Sequence, residues 1–382
     1  MRHLTPALII GTSAMLALPA AIAAERIQVV TSFSILADMV QNVGGEHVEV
    51  TSLVGPDSDA HVYSPTPRDA RALADADLVV FNGLLFEGWM ERLIDSSDYN
   101  GPLVTTTDGI DRLDYHGHDH EDAHGHDHGH DHDHDNGHDR GHEHEHEHDD
   151  HDHDHDHDHD HDHDDHGHDD HGHGHDHAHG DYDPHAWQDL AMGKVYVGNI
   201  RDGLIEADPD NEAAYRENAE RYINELAATD AEIRELLGEI PSSTSVITGH
   251  DSFGYFSNAY GLRFLSPVGL STEAEPSAAD MARLIDVIRE QNVRALFHEN
   301  MTSPAVINQL AEETGLPIAG TLYADALAAE GEASTYLGMM RHNAQVLHDA
   351  LADHDGHDHD HSHDHGDDHD HGDNGHDHSH SH

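Results

Sequence analysis

The sequence contains no cysteine, which removes disulfides, thiolate metal centres and cysteine-borne lipid anchors from the possibilities. It holds a single lysine, Lys194, and only 17 basic residues against 78 acidic ones, for a formal net charge of −61. Nucleic acids and anionic lipid surfaces are gripped by basic patches, so both are excluded as partners. Long apolar runs are also missing. The longest, over residues 4–18, is interrupted by Pro6, Gly11, Thr12 and Ser13 and is too short for a spanning helix of about 20 residues. With Arg2 ahead of it and Ala21-Ile22-Ala23 behind, it reads as an export signal over 1–23. The expected destination is a periplasm, reached as a soluble protein rather than a lipoprotein.

Histidine, by contrast, is present 48 times. Most of it falls in two tracts, roughly 116–180 and 353–382, where His alternates with Asp and Gly; "HDHDHDHDHDHDHDD" over 151–165 is the most regular part. Such segments have almost no apolar content to offset chain entropy, so disorder is expected. Imidazole is the commonest neutral metal ligand, and the carboxylates beside it attract cations. The tracts therefore read as collectors of divalent ions, favouring zinc, copper or nickel over magnesium or calcium. A solubilising spacer would need only aspartate. A disordered tract cannot define one geometry, however, so a specific site must lie elsewhere.

Outside the tracts, strand-like and helix-like segments alternate. "RIQVVTS" (26–32), "HVEVTSLVG" (47–55) and "DLVVFNG" (77–83) have β character, and 33–45, 66–76 and 86–97 have helical spacing. After a helical stretch over 190–206 and a longer one that Asp208-Pro209 opens, a second series has strands near 244–249, 262–268, 293–299 and 316–323 and helices near 278–290 and 304–314. Between the two series, Tyr215, Ala219, Tyr222, Leu226, Ile233 and Leu237 recur at helical spacing, predicting a long helix that Pro241 closes. The expected fold is α/β: two lobes, each a parallel sheet flanked by helices, joined by one long helix, with a ligand cleft between them. The corresponding boundaries are an N-terminal lobe over 24–207 interrupted by the His/Asp-rich loop 116–180, a linker helix over 208–241, a C-terminal lobe over 242–352, and the tail 353–382.

Among the remaining histidines, three sit beside strand ends or turn formers. His61 lies in "GPDSDAHVYSPTP", His185 in "DYDPHAW" and His250 in "ITGHDSFGYF". Asp325, in "TLYADAL" just past a strand, offers an oxygen donor. Three imidazoles and one carboxylate suit tetrahedral zinc. Taken singly, a histidine is more often a surface or hydrogen-bonded residue than a ligand, and His47 and His342 keep that ordinary role. His298 and Glu299 end a strand and are candidates for contact with the site, with a buried hydrogen-bonding role the preferred reading for Glu299.

The motifs "DAHVYSPTPRDARAL", "DPHAW", "TGHDSFGYFSNAYGL", "STEAEPSAADM" and "LYADAL" resemble, in order, those of the metal-binding subunits of zinc and manganese ABC importers, the cluster A-I (cluster 9) solute-binding proteins. The His-rich insertion is similar to that of the zinc-uptake, ZnuA- and AztC-like branch. The resemblance covers the chain outside the signal and tracts. It implies metal ligands at His61, His185, His250 and Asp325, with the imidazole at 250 favouring zinc where manganese-type members carry a carboxylate. At the first motif the family often reads Asp/Glu-Pro-His, whereas this chain has Asp59-Ala60-His61. The implied function is capture of Zn(II), the transported ligand, by a monomer and its delivery to an ABC permease in the cytoplasmic membrane. A periplasmic zinc metallochaperone is a candidate second partner, and the tracts are accessory collectors. Manganese import, a stand-alone zinc buffer and a zinc hydrolase are the alternatives. The last is disfavoured because Asp325 closes the ligand shell and no H-E-x-x-H motif is present, so the chain reads as a non-enzyme.

Overall fold

The computed structural model describes residues 26–115, 181–291 and 293–352. The export signal, the His/Asp-rich loop 116–180 and the tail from 353 onward lie outside the described residues. Two four-stranded, wholly parallel sheets form the frame. The first comprises β1 (Ile27–Phe33), β2 (Val48–Val54), β3 (Leu78–Phe81) and β4 (Leu103–Thr105), in the order β2-β1-β3-β4. The second comprises β5 (Ser245–Ile247), β6 (Arg263–Leu265), β7 (Val293–Glu299) and β8 (Ile318–Leu322), in the order β6-β5-β7-β8. Parallel neighbours need crossovers. In the first sheet α1 (Ser34–Gly44), α2 (Pro67–Ala74) and α3 (Met90–Ser97) supply them. In the second, α6 (Gly254–Tyr260), α7 (Ala278–Glu290) and α8 (Ala305–Thr314) do so. The inner strands are apolar almost without interruption, as sheets covered on both faces require: β3 is Leu-Val-Val-Phe, and Val29, Val30, Val79, Leu296 and Phe297 are all buried.

Helix starts are fixed locally. Thr66 caps α2 and Ser277 caps α7, each in a reciprocal box with Asp69 or Asp280. The segment 86–97, expected to be helical throughout, becomes helix only at Met90. Leu84 and Leu85 ahead of it adopt positive φ, 53° and 63°, and turn the chain sharply after β3.

Two further helices, α4 (Leu190–Ala207) and α5 (Glu212–Leu237), pack against each other between the sheets. The long helix expected over 208–241 is shorter at both ends. Asp208 accepts hydrogen bonds from Asn211 Nδ2 (2.7 Å) and Tyr215 Oη (2.6 Å), and Pro209–Asn211 form a 3-10 turn before α5 begins. Its predicted apolar stripe is the buried face. The early half of α5 holds the first lobe, with Asn218 Nδ2 donating to Val43 O. The late half holds the second, with Arg234 donating to Ala259 O and Arg341 of α9 (Tyr336–Leu351) donating to Thr229.

One hydrophobic core runs from β1, α1 and α4 through α5 and α9 to Phe253, Phe256 and Phe297 of the second lobe. A smaller, separate core lies on the far face of the second sheet, where Ile247 and Leu296 pack against Leu284, Ile288, Ile307 and Leu310 of α7 and α8. Binding sites in open parallel sheets form beyond the carboxyl ends of strands where the strand order reverses. Here those reversals lie between β1 and β3 and between β5 and β7.

Candidate metal centre

His61 lies in the loop after β2. The loop is stiffened by hydrogen bonds: Asp59 Oδ1 accepts from the His61 backbone N–H (2.9 Å), and buried Ala60 accepts from Trp89 Nε1 (2.7 Å). The other oxygen of Asp59 accepts from Thr272 Oγ1 (2.6 Å) of the second lobe. His185 was expected at a strand end, but it sits in the turn leading into α4, reached after an antiparallel bridge between Asp114 and Tyr182. Pro184 ties that turn to the first lobe by accepting from Asn82 Nδ2 (2.9 Å). His250 follows β5, and Asp325 follows β8.

Each of two imidazoles has its Nδ1 tied to a carboxylate. His185 Nδ1 lies 2.8 Å from Asp183 Oδ1 and His250 Nδ1 lies 2.7 Å from Glu299 Oε2; these carboxylates hold the ring proton on Nδ1, so that the neutral ring offers Nε2 to a metal. Gly249 permits the second arrangement, since a Cβ there would lie 2.9 Å from Glu299 Oε2. The four side chains converge, with candidate donor atoms all within 4.8 Å of one another. His61 and His185 Nε2 are 3.4 Å apart. Asp325 Oδ2 lies 3.2 Å from His61 Nε2 and 2.9 Å from His250 Nε2, and Oδ1 lies 3.7 Å from His185 Nε2. All four residues are at most 6% exposed. His250 Nε2 and both Asp325 oxygens are buried and face only the other members of this cluster. Buried donor atoms that converge on one point and bond to nothing beyond their own cluster mark a place for a cation.

Electrostatics fit that reading. Burial works against charge on His250, but the carboxylates of Glu299 and Asp325 overcome it and push its pKa well above 6.5. Burial also opposes ionisation of Asp325, yet His250 and His185 outweigh it and hold the carboxyl well below the usual range. His61 is pushed down, chiefly by burial, toward the neutral form a metal needs.

An aromatic wall closes the inner side. The Phe86 ring lies 4.6 Å from that of His61 and 5.8 Å from that of His185, and Trp187 stands 5.3 Å from His185. Buried Glu87 braces the turn that carries Phe86 by accepting from Ser32 Oγ (2.6 Å) and the backbone N–H groups of Asn82 (2.8 Å) and Gly83 (3.2 Å). Outside, a cavity of about 680 Å³ lined by His61, Val62, Leu84, Leu85 and Trp89 forms the mouth. Sequence reasoning missed Asp183, Phe86 and Glu87. The Asp two residues before His185 was a readable signal; the other two depend on the positive-φ turn. The ordinary histidines lie elsewhere, with His47 against Tyr215 and His298 bonded to Asn308. His342 lies against Thr321 O.

Fold and site together define a two-lobed protein that gathers three imidazoles and one carboxylate in a buried pocket between parallel sheets. Over residues 29–350 the chain matches the model of the periplasmic zinc-uptake complex component A family, ZnuA, and it belongs to that family. It is 28% identical over 330 residues to the manganese-binding lipoprotein MntA of Halalkalibacterium halodurans, covering 86% of this chain and 89% of that one. It is 27% identical over 321 residues to the iron-binding protein YfeA of Yersinia pestis, covering 83% and 84%. The periplasmic zinc-binding protein TroA of Treponema pallidum superposes with a TM-score of 0.67 at 25% identity, over 86% of this chain and 99% of that one. The protein is an extracytoplasmic metal-binding substrate-binding protein of the kind that serves ABC importers, not an enzyme.

Proposed function

We propose that this protein captures Zn(II) in the periplasm through His61, His185, His250 and Asp325 and hands it to an ABC permease in the cytoplasmic membrane. The observation that carries this is the set of four buried donor residues whose ligand atoms converge within 4.8 Å of one another. In a tetrahedral zinc site with bonds of about 2.0–2.1 Å, donors stand about 3.3 Å apart. The separations of 2.9, 3.2, 3.4 and 3.7 Å bracket that edge. Three nitrogens and one oxygen, with burial that leaves little room for bound water, favour zinc over the oxygen-rich, hydrated coordination that manganese takes. The manganese reading draws on relatives such as MntA, and the distinguishing feature is the imidazole at 250.

The division into lobes over 24–207 and 242–352 with a helical linker between them serves this reading by setting donors from both sides around one ion. The His/Asp tracts act as accessory collectors that raise the local ion concentration beside the mouth, since tethering over short flexible spans gives effective concentrations of about millimolar. A sequence without cysteine has no residue to carry a thioether-linked lipid, which supports a soluble periplasmic form although relatives are lipoproteins. The test is uptake of labelled zinc and manganese in a cell lacking other importers of both, supplied with this protein and its permease. Restored zinc uptake with manganese unchanged is expected. Restored manganese uptake would establish the alternative cargo, and a zinc-binding protein that restores neither would be a buffer.

A further inference from the structure

Three successive residues after β3 stand in the left-handed region: Gly83 (φ 88°), Leu84 (φ 53°) and Leu85 (φ 63°). Glycine takes that conformation freely, and position 83 also needs it for space, since a Cβ there would lie 2.5 Å from Thr105 Cγ2. Two leucines in it are a backbone cost. Leu85 gains no burial in return, being 61% exposed. The turn is instead held from outside. Beyond the Glu87 bonds, Asn82 O accepts from Thr107 Oγ1 (2.7 Å), Asn82 Oδ1 accepts from Tyr196 Oη (2.6 Å), and Phe86 N donates to Gly83 O (3.1 Å). A strained turn fastened on so many sides serves the residue it delivers, and that residue is Phe86.

Phe86 is buried where the ligands meet the mouth. Its ring stands close to edge-on to both His61 and His185, at interplanar angles of 70° and 80°. It also borders the mouth cavity, which His61 alone of the four ligands lines. The rings of Phe33 (4.9 Å) and Trp187 (4.8 Å) back it. A water bound to the ion on this side would need room and further hydrogen-bonding partners. The phenyl ring takes the room and supplies no partner. Trp187 supplies none either, since its Nε1 already donates to Ala324 O (2.9 Å).

We propose that Phe86 is a specificity-determining residue: by keeping water from the ion beside His61 and His185, it limits the cargo to the four protein donors. Zinc is satisfied by four. Manganese favours an octahedral, oxygen-rich shell and is denied the waters that would complete it. Selection then has two parts, with the imidazole at 250 choosing the donor type and Phe86 setting the number. The inference rests on the proposed metal site and deepens it by naming what fixes its coordination.

The experiment uses the full chain loaded with cobalt(II), whose visible absorption is intense in a four-coordinate site and weak in a six-coordinate one. Zinc and manganese affinities are read from the rise of Tm with buffered free ion, and the Asp325→Ala chain gives the background from ions held elsewhere. Phe86→Ala opens space beside the ion that is continuous with the mouth, and each water admitted takes about 30 Å³. Its cobalt band should weaken severalfold. Its preference for zinc over manganese should narrow about 10–100-fold, the range that groups around a ligand shell command. Phe86→Leu keeps apolar bulk and should hold both readings within about threefold of wild type. Phe33→Ala removes a ring that packs on Phe86 and Trp187. It should lower Tm as Phe86→Ala does, yet leave band and preference within about threefold. If Phe86→Ala does not fold, Phe86→Val is read against the same criteria. A folded variant with the small side chain that keeps the intense band and the wild-type preference overturns the proposal. So does equal narrowing in Phe33→Ala or Phe86→Leu, since loosening of the cluster rather than water at the ion would then be the cause. A wild-type chain with no intense band and no rise in Tm that depends on Asp325 overturns the metal site itself, which separates that failure from failure of Phe86.

Discussion

The two sheets share a strand order, and each places a buried glutamate near its topological switch point, but they use that glutamate differently. In the first lobe, Glu87 gathers the N–H groups of Asn82 and Gly83 and the Ser32 hydroxyl, fixing a tight turn whose Phe86 ring walls the site. In the second, Glu299 gathers the N–H groups of Gly249 and His250 and also the His250 ring. The same device of a carboxylate closing a βα turn serves packing in one lobe and ligand orientation in the other. The lobes also differ in how they are buried: the first merges into the large common core, whereas part of the second keeps a small core of its own. One half lies wholly in the common core, and the other divides its strands between that core and a smaller one.

The comparison can be broken most severely at Asp325, whose loop is bonded from both lobes. Asp325→Ala removes the only anionic donor and leaves three imidazoles around a buried dication, so zinc affinity should fall by at least about a thousandfold in chelator competition. Next come the two glutamates. Glu299→Gln places an amide N–H₂ against His250 Nδ1, which drives the ring toward the tautomer protonated at Nε2 and spoils the lone pair. Zinc affinity should drop about 10–100-fold. Glu87→Gln sets its amide against a backbone N–H and should cost about 1–3 kcal/mol of stability in denaturant unfolding, while zinc affinity stays within about threefold. Equal effects on zinc would erase the distinction between the lobes.

A smaller, graded effect comes from pH. With its pKa raised well above 6.5, His250 is protonated in the metal-free protein near neutrality, and zinc must displace that proton. Affinity should therefore fall as pH drops and rise with pH until the raised value is passed. Calorimetry in buffers of different ionisation enthalpy should find about one proton released per ion, and about none in His250→Ala. The metal-free protein has the opposite dependence. The stability that protonated His250 contributes is fully present below 6.5 and is lost as pH rises through the raised value. Smallest of all, Gly249→Ala would press a Cβ on Glu299 Oε2 and should weaken zinc binding severalfold by tilting the ring, with little change in unfolding.

Much of the frame was legible because its signals are local. Apolar runs such as Leu-Val-Val-Phe announced buried parallel strands, and the α5 stripe from Tyr215 to Leu237 announced its buried face. His61, His250 and Asp325 could be found from their places after strands. His185 was found from its "DPHAW" context, although the turn it occupies leads into α4 rather than leaving a strand. What stayed hidden depends on backbone conformations that sequence spacing does not encode. The positive φ of Leu84 and Leu85 delays α3 and points Phe86 at His61. The left-handed Asp57 lets one carboxylate and one N–H reach three partners across the cleft. Long-range side-chain bonds such as Thr272 to Asp59 join residues more than two hundred positions apart, and nothing in either segment alone predicts the meeting.

The central claim, that the cleft rather than the histidine tracts is the working site, is tested most directly by competitive zinc titration of protein lacking 116–180 and 353–382. The ends of the first excision are already adjacent, since Tyr115 N donates to Asp181 O at 2.9 Å, so a short joint preserves the frame. One tight site per chain, abolished by Asp325→Ala, is the predicted result. Loss of tight binding with the tracts, in a chain that remains folded, would contradict the account and make the tracts the functional centre.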